Sequence, residues 1–142
     1  MDERPLGATG YSVTEVGMGT WNIGGDWGDV ADEQGRAAIT AALESGVNFL
    51  DTADVYGDGR SERLIREVLS EREEEPVVAT KAGRRLDPHE PDRYTEANLR
   101  RFVDRSRENV AAADLPRLPA ETHQEVRDVY DEHVREHVHH RW

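Results

Sequence analysis

Three side chains able to hold or move a proton stand at the ends of short apolar runs. Asp51 closes the run in GVNFLDTADVYGDGRSE, Tyr56 follows in a glycine-bearing loop, and Lys81 closes VVATK. A phenol ordinarily keeps its proton to about pH 10, so it is a poor acid near neutrality unless its surroundings help. An ammonium beside the phenol favours the phenolate. A carboxylate paired with that ammonium fixes its position and charge. Asp51, Tyr56 and Lys81 would together make a tuned phenolic acid that protonates an oxygen. Taken singly, each reads better as an ordinary strand-end polar residue. Taken together they read as a unit, the more so because Lys81 is the only lysine of the 18 basic residues.

Such a unit needs strands that end side by side. Val47 to Leu50 and Val77 to Ala79 read as buried-type strands, and Glu15 to Met18 as a shorter one. Between them, Asp32 to Ser45 and Ser61 to Leu69 show helical spacing, the first with Ile39, Ala42 and Leu43 inward and the second with Leu64, Ile65, Val68 and Leu69. Thr95 is a candidate N-cap for a third helix, with Leu99, Phe102, Val103, Ser106 and Val110 on one stripe. Arg4 to Val13 reads as a hairpin around GATG. A last amphipathic stripe, Val126, Val129, Tyr130, Val134 and Val138, precedes the tail HVHHRW. Strand and helix in alternation signal parallel α/β architecture. In such sheets chemistry gathers beyond the carboxyl ends of the strands. The glycine-rich loop Gly19 to Asp29, Asp51 with Tyr56, and Lys81 all fall there.

Composition narrows the function classes. The chain has 142 residues and no cysteine, which excludes disulfides, thiolate metal sites and thiol nucleophiles. No apolar run approaches a membrane span of about 18 residues, and the N-terminus lacks the layout of a signal peptide; a cytoplasmic protein is expected. Thirty acids leave a net charge of −12. This argues against nucleic acid as a partner, since phosphates need basic patches. The acid-rich, lysine-poor balance resembles that of halophilic proteins, where salt screens self-repulsion. Disorder is the other reading of an acidic, aromatic-poor chain, against which the well-formed periodic segments stand. His133 and His137, four apart on a helix, have a spacing that suits a metal, or they are a solvated helix end near the dipole's negative pole. No metal site is expected.

GVNFLDTADVYGDGRSERL with VVATKAG, and the opening RPLGATGYSVTEVGMGTW, resemble the aldo-keto reductases from about Arg4 to Asn109. The resemblance implies a (β/α)₈ barrel and hydride transfer between NADPH (or NADH) and a small carbonyl substrate. It implies Tyr56 as general acid, Lys81 as the residue that tunes it and Asp51 as the partner of Lys81. It places Thr20 and Trp21 at the mouth for nicotinamide and substrate. Arg105, Glu108 and Asn109 match an R-x-x-E-N pattern that contacts the adenosine phosphate in full-length relatives, or they are the exposed face of the third helix.

The sequence also departs from the family. The catalytic histidine expected after a fourth strand is missing; none of the six histidines fits its motif. The phosphate-binding loops near strands seven and eight are missing too. Residues 109–142 resemble the C-terminal segment of bacterial and archaeal members, so the chain reads as a front and a back joined near Asp104 to Val110. A full barrel of this type takes on the order of 200–250 residues. The expected product is a partial barrel over residues 1–109, about three parallel βα units with an N-terminal hairpin, followed by a linker and tail helix over 110–142. Activity would be weak or lost. The alternatives are a non-catalytic remnant, and an interaction module that self-associates through an open sheet edge. Loose folding, or repacking around the tail helix, are the other ways to cover what the barrel lacks.

Overall fold

The computed structural model describes residues 1–25 and 28–110. The tail helix, its stripe, His123 and the C-terminal histidines lie outside the described residues, as do Asp26 and Trp27 of the glycine-rich loop. The chain opens with an antiparallel hairpin of β1 (Glu3–Pro5) and β2 (Ser12–Thr14). A parallel sheet of β3 (Met18–Gly19), β4 (Phe49–Asp51) and β5 (Val77–Ala79) follows, with β4 in the centre. Helices α1 (Asp32–Glu44), α2 (Arg60–Ser70) and α3 (Glu96–Asn109) each follow one strand. These are the three βα units and the hairpin expected.

Successive strand residues point to opposite faces. Leu50 points to the helix side and is fully buried with Ile39 and Leu43 of α1 and Leu64, Ile65 and Val68 of α2. Met18, Val78 and Leu69 pack against this cluster. Phe49 and Asp51 therefore point to the other face. Gly17 admits Phe49 there: a Cβ on Gly17 would lie 2.7 Å from the Phe49 ring. Asn48, just before β4, ties the hairpin to the sheet. It accepts from Thr14 N at 2.7 Å and donates to the Ser12 carbonyl at 3.1 Å. The hairpin thus holds the end of the sheet opposite Asp51.

Some boundaries differ from expectation. The first sheet strand is Met18–Gly19 rather than Glu15 to Met18, because residues 15–17 bend around Phe49. The second begins at Phe49 rather than Val47, whose N–H instead donates to Ala42 at the end of α1. In α1, Gly35 replaces Ala42 on the buried face, where a Cβ would meet Ile23 at 3.0 Å. Thr95 caps α3, its hydroxyl accepting from Asn98 N at 3.2 Å. Only Phe102 and Ser106 of its stripe are buried; Val103 is exposed, since α3 meets little besides α2. Among the described residues, no helix is long and apolar enough to cross a membrane.

Candidate active site

The register sets Gly19, Asp51 and Ala79 level across the three strands. Their successors are threonines, and two of them close the strand ends. Thr20 N–H donates to the Asp51 carbonyl at 2.9 Å and Thr52 N–H to Ala79 at 2.8 Å. The Thr20 hydroxyl donates to the same Asp51 carbonyl at 3.0 Å, and Ser61 of α2 donates to Thr20 Oγ1 at 2.7 Å. Thr52 Oγ1 lies 2.9 Å from Ser61 Oγ. These three hydroxyls are fully buried and fix the carboxyl ends of β3 and β4 against the start of α2.

Above them, Lys81 Nζ donates to Asp51 Oδ1 at 2.5 Å and to the Thr52 carbonyl at 3.1 Å. The ammonium lies 5.2 Å from the centre of the Tyr56 ring. Trp21 stacks with that ring at 6.3 Å between centroids and 22° between planes. The three residues of the expected unit are thus brought together, with Trp21 half-exposed beside them. Burial alone would pull the Lys81 ammonium down. Its hydrogen bond to the Asp51 carboxylate, with Tyr56 close by, outweighs that and holds it above the usual lysine value.

Two glycines let the Tyr56 loop lie against the first loop. A Cβ on Gly24 would fall 2.8 Å from Gly57 N, and one on Gly57, at φ +58°, would fall 2.3 Å from the Gly24 carbonyl. Arg60 adds a second tie, donating from Nη1 to the Ile23 carbonyl at 2.9 Å and from Nε to Asp32 at 2.7 Å.

Of the residues expected at the mouth, Trp21 lies there, whereas Thr20 lies beneath it with its hydroxyl engaged. Arg105 and Asn109 stand on α3, bound to acids of the chain itself. Arg105 Nη2 pairs with Asp58 at 2.6 Å, and Asn109 Nδ2 donates to Glu62 at 2.7 Å. The other Glu62 oxygen accepts from Thr80 at 2.7 Å, so a fully buried carboxylate joins α2, the end of β5 and α3. A groove of ≈ 690 Å³ runs along α3 between Arg85, Phe102, Arg105 and Glu108, apart from the Tyr56 mouth.

The sequence reading passed over four further polar residues here. In the sequence Ser61 and Glu62 read only as the opening of a helix. Asp54 and Asp58 flank Tyr56. Asp54 is fully buried, and neither carboxylate oxygen has a hydrogen-bond partner. Its burial raises its pKa; Arg85, whose Nε stands 3.8 Å away, opposes this and Glu62 adds to it. Asp58 is held below the usual carboxylate range by its hydrogen bond from Arg85 and by the charge of Arg105. The visible signal was Asp58 between two glycines: a non-glycine residue at φ +54° marks a position worth explaining.

The sequence profile of the Aldo/keto reductase family matches residues 15–115. The chain belongs to the aldo/keto reductase family. The pyridoxal 4-dehydrogenase of Microbacterium luteolum is 40% identical over 83 residues, which is 58% of this chain and 24% of that protein. The holo form of an aldo-keto reductase from Bacillus halodurans superposes with a TM-score of 0.63 at 28% identity, over 78% of this chain and 37% of that one. An aldo/keto reductase from Klebsiella pneumoniae, solved with NADP and acetate, shares the fold at 24% identity and a TM-score of 0.55, over 70% of this chain and 32% of that one. The chain spans 24% to 34% of the length of the curated relatives it matches. It is part of an aldo/keto reductase barrel, and the strand-end residues above lie within the matched segment.

Proposed function

We propose that this chain carries the proton-donating part of a carbonyl-reducing site, with Tyr56 as general acid, Lys81 as its tuning cation and Asp51 as the residue that holds Lys81. One observation carries this reading: Lys81 bridges Asp51 and the Tyr56 ring at the end of the central strand. Protonation of a carbonyl oxygen by a positioned phenol is general acid catalysis. When bound, NADPH or NADH would supply the hydride to the carbonyl carbon.

The residues present fit the reacting end of such a cofactor better than its phosphate end. Trp21 offers a half-exposed indole face beside Tyr56, suited to stacking on a flat ring. At the other end, the family pattern in Arg105 and Asn109 already serves Asp58 and Glu62. A phosphate there would have to displace those carboxylates. We therefore expect weak cofactor retention and turnover far below that of a full barrel, in keeping with the missing histidine and phosphate loops. The net charge of −12 favours a high-salt milieu that screens self-repulsion, so the assays use multimolar KCl.

Carbonyl-dependent oxidation of NADPH in multimolar KCl, with short aldehydes, tests the reading. Slow turnover that Tyr56→Phe abolishes and Lys81→Met reduces at least about 100-fold is expected. Turnover unchanged in Tyr56→Phe would remove the phenol from the reaction.

A second reading rests on the sheet itself. Among the described residues β3 and β5 are both edges, and the face bearing Phe49 and Val77 has no helix over it. An unpaired parallel edge of this kind invites another strand, and on this reading the chain acts by pairing with a second copy or a full-length relative. A mass that rises with concentration, without cofactor binding, would favour this reading.

A further inference from the structure

Arg85 lies four residues beyond Lys81, in the segment leaving β5. Its Nη1 donates to the Asp54 carbonyl at 3.1 Å, and its Nη2 pairs with the Asp58 carboxylate. Asp54 and Asp58 stand two residues before and two residues after Tyr56. One planar guanidinium, whose donors form a rigid fork, therefore spans the Tyr56 loop from the segment that also carries Lys81. Asp58 is held a second time by Arg105 of α3, which donates to its carbonyl at 3.0 Å and to its carboxylate. Asp58 sits in a left-handed conformation, which costs on the order of 1 kcal/mol or more for a non-glycine residue and persists only where its surroundings fix it. Arg85 touches both sides of the loop, whereas the two side-chain bonds of Arg105 reach Asp58 alone.

We propose that Arg85 is a positioning residue for Tyr56: by clipping Asp54 and Asp58 to the Lys81 segment, it sets the phenol against the Lys81 ammonium. This rests on the reading of Tyr56 and Lys81 as an interacting pair. Without the clip, the loop keeps its contact with Gly24 on one side, and the phenol can withdraw from Lys81 on the other.

The single lysine supplies the test. The carbon-13 signal of the Lys81 ε-carbon is unique in the full chain, and its titration needs no cofactor or substrate. Two effects of Arg85→Ala oppose each other. Loss of a nearby cation relieves repulsion and would raise the Lys81 midpoint. Withdrawal of the phenol removes a partner of the ammonium and lowers it. A fall of roughly half a pH unit is expected in Arg85→Ala, with a smaller fall in Arg85→Gln, which keeps a donor for the Asp54 carbonyl. Arg105→Ala, which removes a cation but leaves the clip, should show no fall. A rise or no change in both Arg85 variants overturns the proposal, and Arg85→Gln decides alone if Arg85→Ala does not fold. Tyr56→Phe separates the two claims. If it leaves the Lys81 midpoint unmoved, the pairing itself fails; if it lowers the midpoint while the Arg85 variants do not, only the role of Arg85 falls.

Discussion

The two flanks of this short sheet are held by different forces. On one, α1 and α2 bury Ile39, Leu43, Leu64, Ile65 and Val68 against Leu50. On the other, α3 buries only Phe102 and Ser106, and its reach to the rest of the site runs through Arg105 to Asp58 and Asn109 to Glu62. Apolar burial is not screened by salt and does not depend on the state of a carboxylate. Exposed ion pairs contribute about 0–1 kcal/mol each and are screened. The helices that flank Asp51 and Tyr56 are therefore held mainly by apolar burial, while α3 is held largely by polar groups. In that attachment Arg105 and Asn109 of the R-x-x-E-N pattern bind acids of the chain itself.

The sharpest break of this contrast is in the core. Ile65→Ala should cost about 2–5 kcal/mol in urea unfolding, with all three helices lost together. A cost under 1 kcal/mol would mean that the α1–α2 flank is not what holds the fold. Glu62→Ala should come next, at roughly 1–3 kcal/mol, because it empties the place of a fully buried carboxylate and takes the acceptor from Thr80 and Asn109. Amide exchange in α3 should then accelerate more than in α1.

Asp54 gives an effect of opposite sign. Its folded-state pKa is raised above the 3.8 of an ordinary Asp. The folded state thus prefers the protonated acid, and stability falls as pH rises through the folded-state value. Ionising this carboxyl away from water, with no hydrogen bond and Arg85 only within 3.8 Å, is a net cost. Asp54→Asn should raise the thermal midpoint at pH 7 by the equivalent of roughly 1 kcal/mol and give no such gain in acid. A loss of stability at pH 7 would show that Arg85 compensates the charge fully.

The smallest effect concerns Asp58. Its folded-state pKa lies below its ordinary value of 3.8. Its contribution is complete above that value and is lost as pH falls through the folded-state value. Strong acid should therefore loosen α3 while α1 and α2 amides stay protected, and Arg105→Ala should reproduce this at pH 7 with only a small change in overall stability. Equal loosening of all three helices would contradict the contrast between the flanks.

Much of this was legible in the sequence where one residue's type decides its place. Apolar runs marked β4 and β5, and their polar ends marked Asp51 and Lys81; the glycine loop marked Tyr56. The start of β3 was misplaced because Gly17 reports on Phe49, a neighbour 32 residues along the chain. The buried hydroxyls and carboxylates were the hardest to see. Thr20 and Ser61 satisfy each other across 41 residues, and Glu62 and Asn109 across 47. Local polarity reads such residues as exposed, because only the fold supplies their partners.

The central claim is that the proton-donating unit is assembled here while the hold on the cofactor is reduced. An NADPH titration of the intact chain in multimolar KCl, followed by tryptophan quenching, tests it most directly, since Trp21 stands against Tyr56. The account predicts quenching that is weak and unsaturated at about 1 mM, a concentration that saturates ordinary enzyme sites. Saturable binding in the low micromolar range, near 1–10 µM, would contradict it and would mean that a phosphate site exists which Arg105 and Asn109, tied to their carboxylates, do not explain.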